Sequence, residues 1–244
     1  IDEGKLLIEA TRRHKTIGQT GTQARSLTRT IDAINYVRSG RIGDVKLARV
    51  LCYNLRKPIG EKGVYQPPKS VDYDLWVGPA EMRPVTRPQF HYDWHWQYHW
   101  GNGDINNMGI HLSDIARWGL GINTLYESVI SYGGRLGYND AGDAASTLVS
   151  IGRSGDKTIV HEIRGLPTDP LLEAMVGNIF YGTEGTVVVN FWNEGYALDP
   201  DGKIVTRFEH DLPNGARSAS FVDQSRDHIQ NFLDCVKSRR QPNC

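Results

Sequence analysis

The chain has 244 residues, with 28 basic and 28 acidic side chains, and is 39% apolar. That length and composition suit one large or two small globular domains with an ordinary core. The even charge balance gives no electrostatic case for nucleic acid or an anionic membrane, and no apolar run approaches the ~20 residues of a spanning helix.

Residues 2–14 place Leu6, Leu7, Ala10 and Thr11 on one helical face. The stretch "TIGQTGT" then predicts a short strand ending in glycine. Helix followed by strand suits the last unit of a parallel α/β sheet. Leu27 to Arg38 predicts a second helix, with Ile31, Ala33, Ile34 and Val37 apolar and Gly40 closing it. Residues 44–54 alternate like a strand. Residues 55–89, rich in Pro, Gly, Lys and Arg, predict a long excursion in which "DYDLWVGPA" makes a turn of helix.

Asn106 to Trp118 predicts a helix, and strands are predicted at 125–132, 145–152, 157–164, 174–181 and 185–192. Strands crowded together without helices between them imply an antiparallel or mixed sheet. Phe221 to Val236 predicts a final amphipathic helix, with Phe221, Ile229, Phe232, Leu233 and Val236 apolar. Cys52, Cys235 and Cys244 have neither CxxC nor zinc spacing and read as structural or exposed thiols.

The chemistry concentrates in "FHYDWHWQYHWGNGDINNMGIHLSD", 90–114, which holds four of the eight histidines and three of the six tryptophans. His91, His95 and His99 sit four apart and would share a helical face, an arrangement a metal such as zinc accepts. The interleaved rings and "WHW" instead favour an extended chain, in which such positions lie about 13 Å apart, too far for one ion. The rings can fill core or line a ligand platform, because aromatic faces suit sugar C–H faces while imidazoles and amides bond hydroxyls. A mixture of the two is expected. Asn107, His111 and Asp114 share one side of the predicted helix, with Met108, Ile115 and Trp118 toward the core. Asn107 can cap that helix or bind ligand, and Gly109 allows close approach of a ligand or another backbone.

"SGRIGDVKLARV", "DYDLWVGPA", "WGNGDINNMGIHLSDIARWGLG" and "IFYGTEGTVVVN" together resemble, in order along nearly the whole chain, the glucose–fructose oxidoreductase/inositol dehydrogenase/rhizopine-catabolism family. The family's Rossmann GxGxxG loop and Glu-Lys-Pro motif are not in this sequence. The clusters "GNG" and "YGGRLG" do not sit between a strand and a helix, so neither is a phosphate loop.

The resemblance implies that residues 1–23 are the tail of a dinucleotide-binding domain, and that residues 24–244 form an α+β substrate-binding and oligomerisation domain. That domain would have a large mixed or antiparallel open sheet with helices on one face. It also implies a chain short at both ends. The parent would be an NAD- or NADP-dependent oxidoreductase acting on a sugar or polyol hydroxyl, and the chain as given would not hold a dinucleotide tightly. Alternatives are an NAD-dependent glycoside-cleaving enzyme of the same family, or a non-catalytic carbohydrate-binding or assembly protein.

The family's Asp-x-x-x-His pair matches Asn107 and His111. His111 would be the general base or proton relay, while Asn107 can bond a hydroxyl but cannot take its proton. Asp114 would support them. Thr22 and Gln23 would lie near the cofactor. Arg25, Trp94, His95 and Trp96 would contact the sugar, the last three as a wall opposite the nicotinamide. A homo-oligomer would form through the open sheet, and no nucleic acid, membrane or metal is implied.

Overall fold

The computed structural model describes residues 2–209 and 221–244, with side chains described from Ser225 onward in the last helix. The described chain divides into two units, residues 1–44 with 181–244, and residues 45–180.

In the first unit, helix α1 (Asp2–Arg13) carries Asp2 and Glu3 in its first turn and Arg12 and Arg13 in its last. These charges complement the helix dipole. Its apolar side chains lie open: Leu6 and Leu7 are 63% and 69% exposed. The strand predicted for "TIGQTGT" does not form, since residues 16–22 have no ladder partner among the described residues. They lead instead into a 3₁₀ turn, Gln23–Ser26. Helix α2 (Thr28–Arg38) ends as predicted, with Gly40 taking φ +80, and it buries Ala33, Ile34 and Val37.

Three antiparallel strands complete the sheet of this unit: β6 (Gly185–Asn190), β7 (Gly195–Leu198) and β8 (Ile204–Phe208). Neither β7 nor β8 is predicted from the sequence. Helix α5 (Phe221–Ser238) follows. It buries His228 and Cys235, while Ile229 and Leu233 of the expected core stripe stay 57% and 44% exposed. The side chain of Phe221, assigned to that stripe, lies outside the described residues.

In the second unit, β1 (Val45–Tyr53) runs parallel to β4 (Lys157–Arg164). Antiparallel pairing continues from β4 to β3 (Thr147–Ser154) and on to β2 (Ser128–Gly134). Strand β5 (Val176–Gly182) leaves the unit at its C-terminal end. Alternation turns Ala48, Val50 and Cys52 of β1, with Ile159 and Ile163 of β4, to one face, all fully buried.

Helix α4 (Met108–Leu120) packs on that face through Gly109, Leu112, Ile115 and Ala116. Asn178 donates to the carbonyl of Leu112 at 2.8 Å. Gly121 ends α4 at φ +67, and Ile122 N–H reaches back to the Arg117 carbonyl at 2.8 Å, the six-residue closure that favours glycine there. The other face is open on β2 and β3, with Ile130, Tyr132 and Ile151 exposed by 74%, 87% and 42%, while Leu51 of β1 and Glu162 of β4 are buried on it.

The excursion 55–89 is irregular apart from α3 (Tyr73–Val77), where Asp72 caps by accepting from Leu75 N–H. It is anchored by Arg87, which is fully buried over the rings of Trp76 and Phe90 and bonded to the Phe90 carbonyl and to Gln97. Among the described residues no helix is long and apolar enough to cross a membrane.

Candidate functional site

The aromatic stretch is neither extended nor α-helical. Asp93–Trp96 form a 3₁₀ turn, closed by His95 N–H to the Tyr92 carbonyl at 3.1 Å. The preference of "WHW" for a strand does not apply, because no neighbouring strand is there to pack against. Trp94 is half-buried and stacks on His95, with centroids 3.8 Å apart and planes 20° apart. The ring of His95 is tied to the Tyr92 carbonyl. Trp96 departs from the expected ligand wall. It is 3% exposed and packs with Ile59 and Ala141, so Trp94 and His95 present the accessible faces and Trp96 backs them. His99 bonds the Glu81 carbonyl at 2.7 Å and His91 is exposed. Among the described residues no three His, Cys, Asp or Glu side chains converge as a metal cage.

Gly103 explains the small-residue break. It adopts φ +68, and a Cβ there would meet the Ala145 carbonyl at 2.8 Å, so only glycine passes. The following 3₁₀ turn, Gly103–Ile105, leads into α4. Within it Asp104 is 1% exposed and takes a two-pronged ion pair from Arg56 at 2.8 and 2.6 Å.

Asn107 is the N-cap residue of α4, and its side chain makes no capping bond. Of its two expected roles, the capping one is therefore not used. His111 lies one turn into the helix, half-buried. Burial pushes its imidazole below the usual histidine range, and Asp114, three residues on, pulls the other way. Burial thus favours the neutral imidazole, the form that can accept a proton. Asp114 is itself half-buried.

In the first unit, Thr22 is half-buried, Gln23 is buried at 7% exposure, and Arg25 is half-buried. Sequence reading missed what holds this segment. His228 of α5 bonds the Thr20 carbonyl at 2.8 Å through Nε2 and Ser26 Oγ at 2.9 Å through Nδ1, and Asn243 donates to Ser26 at 3.2 Å. If Nε2–H donates to the carbonyl, Nδ1 accepts from the serine, and one neutral tautomer satisfies both bonds. A histidine on a predicted helix gives no sign of this.

The expected absence of a phosphate loop can be tested on the glycine positions. Gly101 precedes and Gly103 begins a 3₁₀ turn, while Gly133 and Gly134 lie within β2. Neither pair opens a helix after a strand, the geometry that cradles a pyrophosphate.

No family model and no curated protein matches the chain. Solved structures do. An oxidoreductase from Agrobacterium radiobacter, in complex with NAD+, L-tartaric acid and magnesium, is 17% identical at TM-score 0.62, over 99% of this chain and 61% of that one. The WlbA dehydrogenase from Bordetella pertussis, in complex with NADH and UDP-GlcNAcA, is 16% identical at 0.57, over 99% and 59%. Levoglucosan dehydrogenase, in complex with NADH and levoglucosan, is 13% identical at 0.64, over 97% and 61%. The chain spans about three-fifths of the length of each of these structures, and at these identities what it shares with them is the fold.

Proposed function

We propose that this chain is the substrate-binding part of an NAD(P)-dependent oxidoreductase acting on a sugar or polyol hydroxyl, with residues 1–23 the trailing edge of its dinucleotide domain. The observation that carries the reading is His111, a half-buried imidazole one turn into a helix that follows the aromatic stretch, with Asp114 one turn on. The fold shared with oxidoreductases solved with NAD+ or NADH supports it. So do the exposed apolar side chains Leu6 and Leu7 of α1, neighbours on one helix of the kind a further domain covers.

Oxidation of a carbinol removes a hydride from carbon and a proton from oxygen. The bound nicotinamide supplies the hydride acceptor. His111 accepts the hydroxyl proton, and Asp114 favours the imidazolium that results. The Asn107 amide bonds the same or a neighbouring hydroxyl. Trp94 and His95 hold a sugar face so that the reacting carbon keeps one orientation. Thr22 and Gln23 are assigned to the cofactor and Arg25 to the sugar. The open sheet face around Ile130 and Tyr132 joins subunits.

The test is turnover of the full-length protein with NAD+ and NADP+ on neutral sugars and polyols. Activity that falls by about a hundredfold or more in His111→Ala supports the reading. Absence of cofactor reduction on every substrate, or an unaffected His111→Ala enzyme, overturns it.

A further inference from the structure

Two features next to the aromatic stretch are not used by the function above. The first is Tyr92. Its backbone takes φ 68 and ψ −47, and Asp93 N–H bonds the His91 carbonyl at 2.8 Å. This is a γ-turn of the rare positive-φ kind, strained for any residue with a Cβ. The turn holds the Tyr92 ring 48% exposed, 4.6 Å from the His95 centroid and 5.6 Å from that of Trp96. The second is Arg56, whose guanidinium lies 5.2 Å from the Trp96 ring centroid. Asp104 takes Nε and Nη2, leaving the Nη1 donors on a side chain still 20% exposed. The Tyr92 ring and the Arg56 guanidinium thus lie against one indole, and Asp104, the partner of Arg56, stands three residues before Asn107.

We propose, resting on the sugar-oxidoreductase reading, that Tyr92 and Arg56 form a substrate subsite beside Trp96 that binds an uncharged hydroxyl and disfavours a carboxylate. The charge balance decides between the two ligands. Asp104 is buried and already neutralises Arg56, so an incoming anion gains no net ion pair and faces the Asp104 carboxylate behind the guanidinium. A hydroxyl needs only a donor and an acceptor, which Nη1 and the phenol supply.

The experiment uses the full-length protein with D-glucose, D-galactose, myo-inositol and D-glucuronate, measuring steady-state kinetics and direct binding by calorimetry. Tyr92→Phe keeps the ring and its packing and removes only the hydroxyl. It should raise KM for the best neutral substrate about fivefold to tenfold, the value of one hydrogen bond, with a smaller change in kcat. Arg56→Lys keeps a cation on Asp104 and should raise KM similarly. Unaltered melting temperatures would show that neither effect is unfolding. Wild-type protein should bind D-glucuronate at least tenfold more weakly than its best neutral sugar. An unchanged KM in Tyr92→Phe, or D-glucuronate bound as tightly as the best neutral sugar, overturns the subsite and leaves the oxidoreductase reading standing. If wild-type protein neither binds nor turns over any of the four, both fall.

Discussion

Arg56 holds both carboxylate oxygens of Asp104, at 2.8 and 2.6 Å, and so ties the residues just after β1 to the turn that launches α4. Burial works against the charge of Arg56, but the bonds and charge of Asp104, with a contribution from Tyr92, outweigh it and hold the guanidinium above its ordinary value. Removing one partner strands the other. Arg56→Met and Asp104→Leu should each cost about 3–5 kcal/mol of stability, and the double replacement should cost less than either single change. Urea denaturation of the four proteins tests this. Additive losses would show that the pair is not coupled.

A pH dependence follows from two imidazoles, His111 half-buried and His161 buried. Burial lowers the pKa of His111, with Asp114 opposing, and lowers that of His161, with the backbone of Ser150 opposing. A pKa lower in the folded state means that the unfolded chain takes up the proton first as pH falls. Stability is then fully present above about pH 6.5 and declines as pH drops below it. Melting temperature should therefore fall between pH 7.5 and 5.5. The gap should narrow in His161→Gln, whatever that change costs at pH 7.5. A gap of wild-type size in the variant would rule out His161 as a contributor.

The two neighbouring tryptophans should separate binding from folding. Trp96 is 3% exposed, and truncating such a side chain to alanine costs about 3–5 kcal/mol. Trp94 is half-buried and stacks only one face on His95. Trp94→Ala should leave the melting temperature within a few degrees of wild type and raise KM for the sugar severalfold. Trp96→Ala should chiefly lower the melting temperature. The reverse assignment would mean that Trp96, not Trp94, meets the ligand.

How far the sequence could be read depends on what set each element. Helix α4 was legible because its spacing, Gly121 and the apolar set Leu112, Ile115 and Ala116 are all local signals. Strands β1 to β6 were legible from alternation and apolar runs bounded by turns. The strand expected at "TIGQTGT" failed because a strand needs a ladder partner that local pattern cannot supply. Strand β7 is four residues long and starts at Gly195, so it carries almost no periodic signal. At the candidate site, the Asn107 to Asp114 spacing was visible. The γ-turn at Tyr92 was not, since it depends on the surroundings that hold it. Nor were Arg56–Asp104 and Ser26–His228, which join residues 48 and 202 apart.

The turn between Leu171 and Ala174 offers a stabilising change. These residues exchange backbone bonds at 3.1 and 3.0 Å, and both central residues have positive φ, Leu172 at 48 and Glu173 at 59. This matches a type I′ turn, which favours Asn-Gly. Leu172→Asn with Glu173→Gly should stabilise by about 1–2 kcal/mol, or about 2–4 °C per kcal/mol for a chain of this size. A lower melting temperature in the double variant would mean that contacts of Leu172 or Glu173 outweigh the backbone strain.

The open face of the second unit gives the last prediction. Register aligns Ile130 with Ile151, and Tyr132 lies two residues along the same face. All three are exposed, Tyr132 by 87%. Clustered apolar groups on a flat sheet face favour association, and one charge at the centre of such a patch opposes it by the cost of desolvating an unpaired ion. Ile130 lies on β2, the edge strand, and is 74% exposed, so Ile130→Glu should leave the fold intact. Light scattering of the full-length protein should show an oligomer that Ile130→Glu converts to a smaller species, with circular dichroism unchanged. A monomeric wild-type protein, or an oligomer indifferent to the charge, would remove this face as the subunit contact.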